Sequence, residues 1–170
     1  MASGVRFRPA AAADWPRIWP IFRQVMQAGD TYAYDPAIDF ETGRTVWLAP
    51  APDRTWLVSD QTEDVVLGSY KTGPNRAGPG AHVATASYLV AADARGRGIG
   101  RAMVLHSLEQ ARAGGYRGLQ FNAVAASNVY AVKLYHDLGF QTVGAVPGGF
   151  RHPEQGFVDL LIMYYDLTGE

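Results

Sequence analysis

Apolar and charged residues alternate from Val5 to Pro9, the two-residue period of a half-exposed strand. After an alanine-rich segment the period changes. Trp15, Ile18, Trp19, Phe22 and Met26 recur at steps of three and four, which predicts a helix capped by Asp14, apolar along one stripe and stopped at Gly29. A short second helix is expected from Asp39 to about Leu48. Thr55 to Ser59 and Val65 to Lys71 predict paired strands around the polar turn Asp60 to Asp64, and the Gly/Pro-rich stretch Gly73 to Gly80 a longer connection. His82 to Val90 is apolar or small almost throughout, the pattern of a central strand covered on both faces. Helical spacing returns after Gly100 and ends at Gly114-Gly115. Leu119 to Val124 is a further strand, Asn128 to Leu138 a helix closed by Gly139, and Phe140 to Val146 and Phe157 to Asp166 the final strands. This order predicts an α/β fold with a mixed sheet and helices on both faces, residues 1–170 forming one domain.

Composition narrows the function. A chain of 170 residues, 48% hydrophobic, buries one real core and is too short for two ordinary domains. A formal net charge of −1 provides no field for nucleic acid or an anionic membrane, so neither is an expected partner and any anion site must be local. With no cysteine there is no disulfide, no Cys₄ zinc site and no acyl-cysteine intermediate. The four histidines lack metal-ligand spacing and no Gly-x-Ser-x-Gly elbow occurs, so no metal is expected. No apolar run reaches signal-peptide or membrane-spanning length, which makes the cytoplasm the expected location.

The run Arg95-Gly96-Arg97-Gly98-Ile99-Gly100-Arg101 follows the central strand and opens a helix. Backbone N–H groups in such a turn form an anion nest, and glycine is needed at 96, 98 and 100 for close approach of the anion and for the positive φ such turns often require. The dinucleotide pattern Gly-x-Gly-x-x-Gly fails, because Arg101 or Met103 stands at its third position. A Walker loop fails as well: it requires a lysine, and the chain's only lysines are Lys71 and Lys133.

Arg95, Gly98 and Gly100 do satisfy Arg/Gln-x-x-Gly-x-Gly/Ala, and here the chain resembles the GCN5-related N-acetyltransferase superfamily. A second match, Asn128-x-x-Ala131-x-x-x-Tyr135-x-x-x-Gly139-Phe140, resembles that family's second cofactor-side helix and the strand after it. The resemblance spans Val5 to Asp166 and implies a twisted sheet of about seven strands, splayed at its centre to take the pantetheine arm of acetyl-CoA. It places the pyrophosphate on Arg95 to Arg101 with Asn128 nearby, backbone groups of Leu89 and Val90 on the pantetheine, and Tyr135 beside the sulfur as the acid. Proton donation from a phenol to a thiolate costs about 2 kcal/mol, because the phenol is the weaker acid, which is feasible. The plain alternative for Tyr135 is a core position beside Ala131 and Leu138. Relatives often carry a glutamate base on the strand before the glycine loop, and His82 to Val90 holds no carboxylate. His82, Asp35, Glu41 and Asp159 are the alternatives through water.

The segment Gly80 to Tyr88, with Phe121-Asn122-Ala123-Val124 and Asn128, is similar to fungal acetyltransferases of proline analogues such as azetidine-2-carboxylate. That resemblance implies detoxification of a small-molecule amine whose carboxylate meets Asn122 and Asn128, with Thr85 at the position of a strand asparagine. The aromatic segment containing Tyr32 and Tyr34 is either a lid over the core or a wall of the substrate pocket. Asn122 can instead pair with splayed backbone, and Asn128 can cap its helix. Other readings are an acyl-CoA sensor of the same fold, or an acetyltransferase for a polyamine, an aminoglycoside or a protein N-terminus. Apolar Val158 to Tyr165 is a candidate homodimer surface.

Overall fold

In the computed structural model, residues 4–62 and 64–169 are described; Met1 to Ser3, Glu170 and Glu63 of the predicted polar turn lie outside the described residues. The sheet begins with β1 (Val5–Pro9), β2 (Arg54–Asp60) and β3 (Val66–Pro74), an antiparallel meander in which Phe7 faces Val58 and Leu57 faces Ser69. β4 (Val83–Val90) pairs antiparallel with β3, β5 (Gly118–Ala125) runs parallel to β4, and β6 (Gln141–His152) and β7 (Gly156–Asp166) close the order β1-β2-β3-β4-β5-β7-β6.

Among the described residues four α-helices cover the sheet: α1 (Trp15–Ala28), α2 (Phe40–Trp47), α3 (Ile99–Ala113) and α4 (Val129–Asp137). Trp15, Ile18, Phe22 and Met26 are buried along one side of α1, as their spacing predicts. Gly29 ends the helix at φ 63°, its N–H donating to Met26 C=O. Asp14 does not cap α1 with its side chain. Its carboxylate is taken by a two-pronged pair with Arg8, at 2.6 and 2.7 Å, and by the Ala11 N–H at 2.8 Å. The charged partner offers a stronger bond than a helix N–H does.

Neighbouring strand residues face opposite helices. Ser69 accepts a hydrogen bond from the Trp47 indole of α2 at 2.9 Å, while the next residue, Tyr70, meets His106 of α3. The core consists of one cluster that joins α1, α2 and β2–β4 with Tyr70 and with Ile99 and Met103 at the start of α3, and a second built by the rest of α3, β5, Phe140 and Met163, with α4 packed against it. Among the described residues no helix is long and apolar enough to cross a membrane.

Two sequence expectations need correction. β3 continues past Lys71 to Pro74, laddered to β4 as far as Ala84. β6 extends from Gln141 to His152 rather than from Phe140 to Val146, because its register with β7 jumps between Val146 and Phe150. That shift absorbs Pro147-Gly148-Gly149 as a bulge on an edge strand, where a missing N–H is tolerated. Phe140 itself is buried against Phe121 outside the strand.

Candidate active site

β4 and β5 are paired only at Val83–Gly118 and Ala84–Leu119. From Thr85 onward they diverge, and the wedge between them holds a cavity of about 430 Å³. Tyr32 and Tyr34 of the α1–α2 segment, Thr85, Tyr88 and Val90 of β4, Phe121 and Asn122 of β5, and Asn128 and Tyr135 around α4 all line it, with Arg95 at the glycine loop. Tyr32 and Tyr34 are therefore a wall of this cavity. A wider depression of about 540 Å³ lies elsewhere, between Pro9–Ala12, the end of α2 and Asp53–Thr55, away from the glycine loop and the tyrosines.

The wedge leaves one edge of β4 without a strand. Tyr88 N–H donates to the Tyr32 hydroxyl at 2.8 Å, and that hydroxyl donates to Tyr88 C=O at 2.8 Å, so the backbone groups of Tyr88 face the gap. Ala91 N–H, in contrast, donates to Leu67 C=O of β3. Because backbone groups alternate between the two edges of a strand, Ala86 and Val90 share Tyr88's edge and Leu89 turns to β3. Leu89 is 1% exposed in the core and does not line the cavity. The expectation that its backbone meets an acyl carrier is corrected: Tyr88 and Val90 present the gap-side groups.

At the mouth of the wedge, Ala94 and Ile99 are buried while Arg95 to Gly98 are exposed, so the loop is held at both ends by the core. Gly96 and Gly98 have φ of 75° and 78°, a left-handed conformation that side chains resist. A Cβ at either position would project into open space, which leaves room for an anion over the backbone. Gly98 is the N-cap of α3, whose first N–H groups, from Ile99 to Arg101, have no partner within the helix. Gly100 differs, since its φ is not positive and a Cβ there would make ordinary contacts with Leu134 and Val90. Among the described residues, Arg95, Arg97 and Arg101 make no salt bridge, so their charge is available to a ligand.

Tyr135 lies deeper in the wedge, its ring 4.5 Å from that of Phe121. Burial pushes its phenol above the usual tyrosine range, and does the same to Tyr32 and Tyr88, where the proximity of Tyr135 adds to the effect. All three are therefore protonated donors at neutral pH. Asn128 caps α4, its Oδ1 accepting from Ala131 N–H at 3.2 Å, and still lines the cavity. Asn122 does not pair with backbone: its amide donates to Asn75 Oδ1 at 2.6 Å and accepts from Gln120 at 2.8 Å.

Arg95 is the sole charged side chain lining the cavity among the described residues, and no aspartate, glutamate or histidine does so. The four candidate bases are engaged elsewhere. His82 Nδ1 meets Pro79 C=O, Asp35 accepts from Ala37 N–H, Glu41 pairs with Arg44, and Asp159 accepts from Gly148 N–H. Sequence reasoning missed Tyr88, Asn75, Phe150 and Leu160; the last two form the β6–β7 side of the cavity. Only Phe150 carried a local signal, as a buried aromatic after a glycine pair.

Known proteins share this fold. A GCN5-related N-acetyltransferase from Kribbella flavida is 47% identical, with a TM-score of 0.93 over 98% of this chain and 100% of that one. The N-acetyltransferase aca1 of Schizosaccharomyces pombe is 30% identical over 69% of this chain; the chain spans about half of that protein, 56% of its length. A phosphinothricin acetyltransferase from Sinorhizobium meliloti, solved in complex with acetyl-CoA, shares the fold at 19% identity, with a TM-score of 0.84 over 96% of this chain and 88% of that one. Acetyl-CoA is the cosubstrate of this family. The model of the acetyltransferase (GNAT) family matches residues 15–140, across the glycine loop, the wedge and the Tyr135 helix, and the chain belongs to that family.

Proposed function

We propose that this chain moves the acetyl group of acetyl-CoA directly to the amine of a small amino acid or a proline- or azetidine-type analogue. The observation that carries the reading is one cavity lined by a hydroxyl, two amides and a buried phenol, Thr85, Asn122, Asn128 and Tyr135, with an open anion nest at its mouth.

The residues fit the cofactor. Backbone N–H groups from Gly96 to Arg101, with Arg95, Arg97 and Arg101, suit a pyrophosphate, and the gap edge of Val90 and Tyr88 suits the amides of a pantetheine arm. Bound acetyl-CoA supplies an activated thioester and a thiolate leaving group. Tyr88 N–H, held in the structure by the Tyr32 hydroxyl, becomes a fixed donor for the acyl oxygen once that hydroxyl moves aside. Tyr135 is the proton donor to the departing sulfur. Its burial raises the cost of donation, and a thiolate in the same dry wedge is raised by the same cause, so the balance stays close to that of the free groups. Thr85, Asn122 and Asn128 hold a carboxylate through neutral donors, while Tyr32 and Tyr34 supply the opposite wall.

Thiol release from acetyl-CoA, followed across a panel of amino acids, cyclic imino acids, polyamines and aminoglycosides, tests the reading. Saturable release with a small amino or imino acid, lost when its carboxylate is amidated, supports it. Turnover confined to polycations, or acetyl-CoA binding without release for any amine, overturns it.

A further inference from the structure

The Tyr32 hydroxyl performs what a neighbouring strand performs elsewhere in the sheet. It accepts from Tyr88 N–H and donates to Tyr88 C=O, both at 2.8 Å, from a position 56 residues away in the chain. Tyr88 is the middle of the three gap-facing positions, with Val90 toward the glycine loop and Ala86 toward the point where β4 and β5 join. An extended arm entering from the loop reaches Val90 first and Tyr88 next. A backbone N–H carries one hydrogen, and at Tyr88 it is already given to a phenol.

We propose that Tyr32 is a displaceable plug: its hydroxyl seals the backbone edge at Tyr88, and acyl-CoA must expel it to reach that edge. A second observation lies on the same segment. The Thr31 hydroxyl, also in the cavity wall, is buried without a hydrogen-bond partner among the described residues, so the segment's polar groups are not all satisfied in the plugged arrangement. Tyr34 stacks on Tyr32 with centroids 6.0 Å apart, so expulsion of one ring carries the other and reshapes the wall that faces the acceptor amine. Cofactor entry and the shape of the amine site are thereby coupled. The proposal rests on the acyl-CoA site and is independent of which amine is used.

Tyr32→Phe keeps the ring and deletes the plug. Calorimetry with acetyl-CoA is expected to show about tenfold tighter binding to the variant, the equivalent of one net hydrogen bond no longer surrendered. Adenosine 3′,5′-bisphosphate, which covers only the nucleotide end, should bind both proteins equally. In the wild-type protein, which needs no variant to fold, acetyl-CoA should change amide hydrogen exchange across residues 29–39, and the bisphosphate should not. Unchanged or weaker acetyl-CoA binding by a folded Tyr32→Phe, or exchange in 29–39 indifferent to acetyl-CoA, overturns the plug. Failure of the wild-type protein to bind acetyl-CoA at all overturns the site assignment and the plug together, and is told apart by that result alone.

Discussion

The rings of Tyr135 and Phe121 lie 4.5 Å apart, and Phe140 stacks on the other partner of that pair at 4.6 Å with an interplanar angle of 15°. Tyr135 is held by its ring, and among the described residues no hydrogen bond anchors its hydroxyl to the fold. Position and chemistry are therefore separable in one substitution.

Tyr135→Phe should leave packing and cofactor binding in place and remove the proton donor. General acid catalysis contributes about 10²- to 10⁴-fold, so turnover should fall at least about a hundredfold with little change in KM for acetyl-CoA. Thiol release at saturating amine measures it. Full turnover in Tyr135→Phe would assign the residue to the core alone.

Gly98 and Gly100 stand two residues apart and should respond in opposite directions to alanine. At Gly98 the backbone is left-handed, so Gly98→Ala should cost about 1–2 kcal/mol and place a methyl over the nest, weakening acetyl-CoA binding. At Gly100 the Cβ meets Leu134 and Val90 at 3.7 and 3.9 Å inside a helix, where alanine is preferred to glycine by about 0.5–1 kcal/mol. Urea unfolding of the two variants checks the signs; a stabilised Gly98→Ala would contradict the loop geometry.

The Tyr70 hydroxyl lies 2.6 Å from His106 Nδ1, with Phe7 stacked on the imidazole at 4.2 Å. Burial lowers the pKa of His106, and the smaller opposing pull of Glu109 does not reverse it. The native state therefore binds a proton less readily than the unfolded chain. This contribution is complete above the unfolded value near 6.5 and is lost as pH falls below it. Unfolding midpoints in urea between about pH 7.5 and 5 should fall, and His106→Gln should flatten that part of the profile. An equal decline in the variant would assign the acid sensitivity elsewhere.

What was legible in the sequence is what short-range pattern determines. The apolar stripe of α1, the left-handed glycines at 96 and 98 and the spacing from Asn128 to Tyr135 are all local, and each lies where its pattern places it. The site's remaining features depend on partners far along the chain. In the sequence Tyr88 is one more residue of an apolar strand, because its open edge exists only through the divergence of β5 and the arrival of Tyr32. Asn75 sits in the bend just after β3, and its bond to Asn122 crosses 47 positions. Pro147-Gly148-Gly149 has the composition of a turn, yet pairing with β7 on both sides keeps it within β6. The edge on which Leu89 presents its backbone is hidden for a subtler reason: period-two alternation distributes backbone groups as well as side chains, and the phase is visible only once β3 is in place.

The composition of the cavity also constrains how the acceptor loses its proton. No carboxylate or imidazole lines the wedge among the described residues, and the four phenols there, Tyr32, Tyr34, Tyr88 and Tyr135, are pushed above their ordinary range by burial, which makes them donors rather than bases. An amine must then arrive neutral, having lost its proton to water before entry. The logarithm of kcat/KM should rise with unit slope and level off at the pKa of the amine itself, not at a value belonging to the protein. Two acceptors that differ in amine pKa by at least about 1.5 units should give inflections separated by the same interval. A single inflection near neutrality, common to both amines, would reveal a protein base and direct attention back to Asp35 or Asp159.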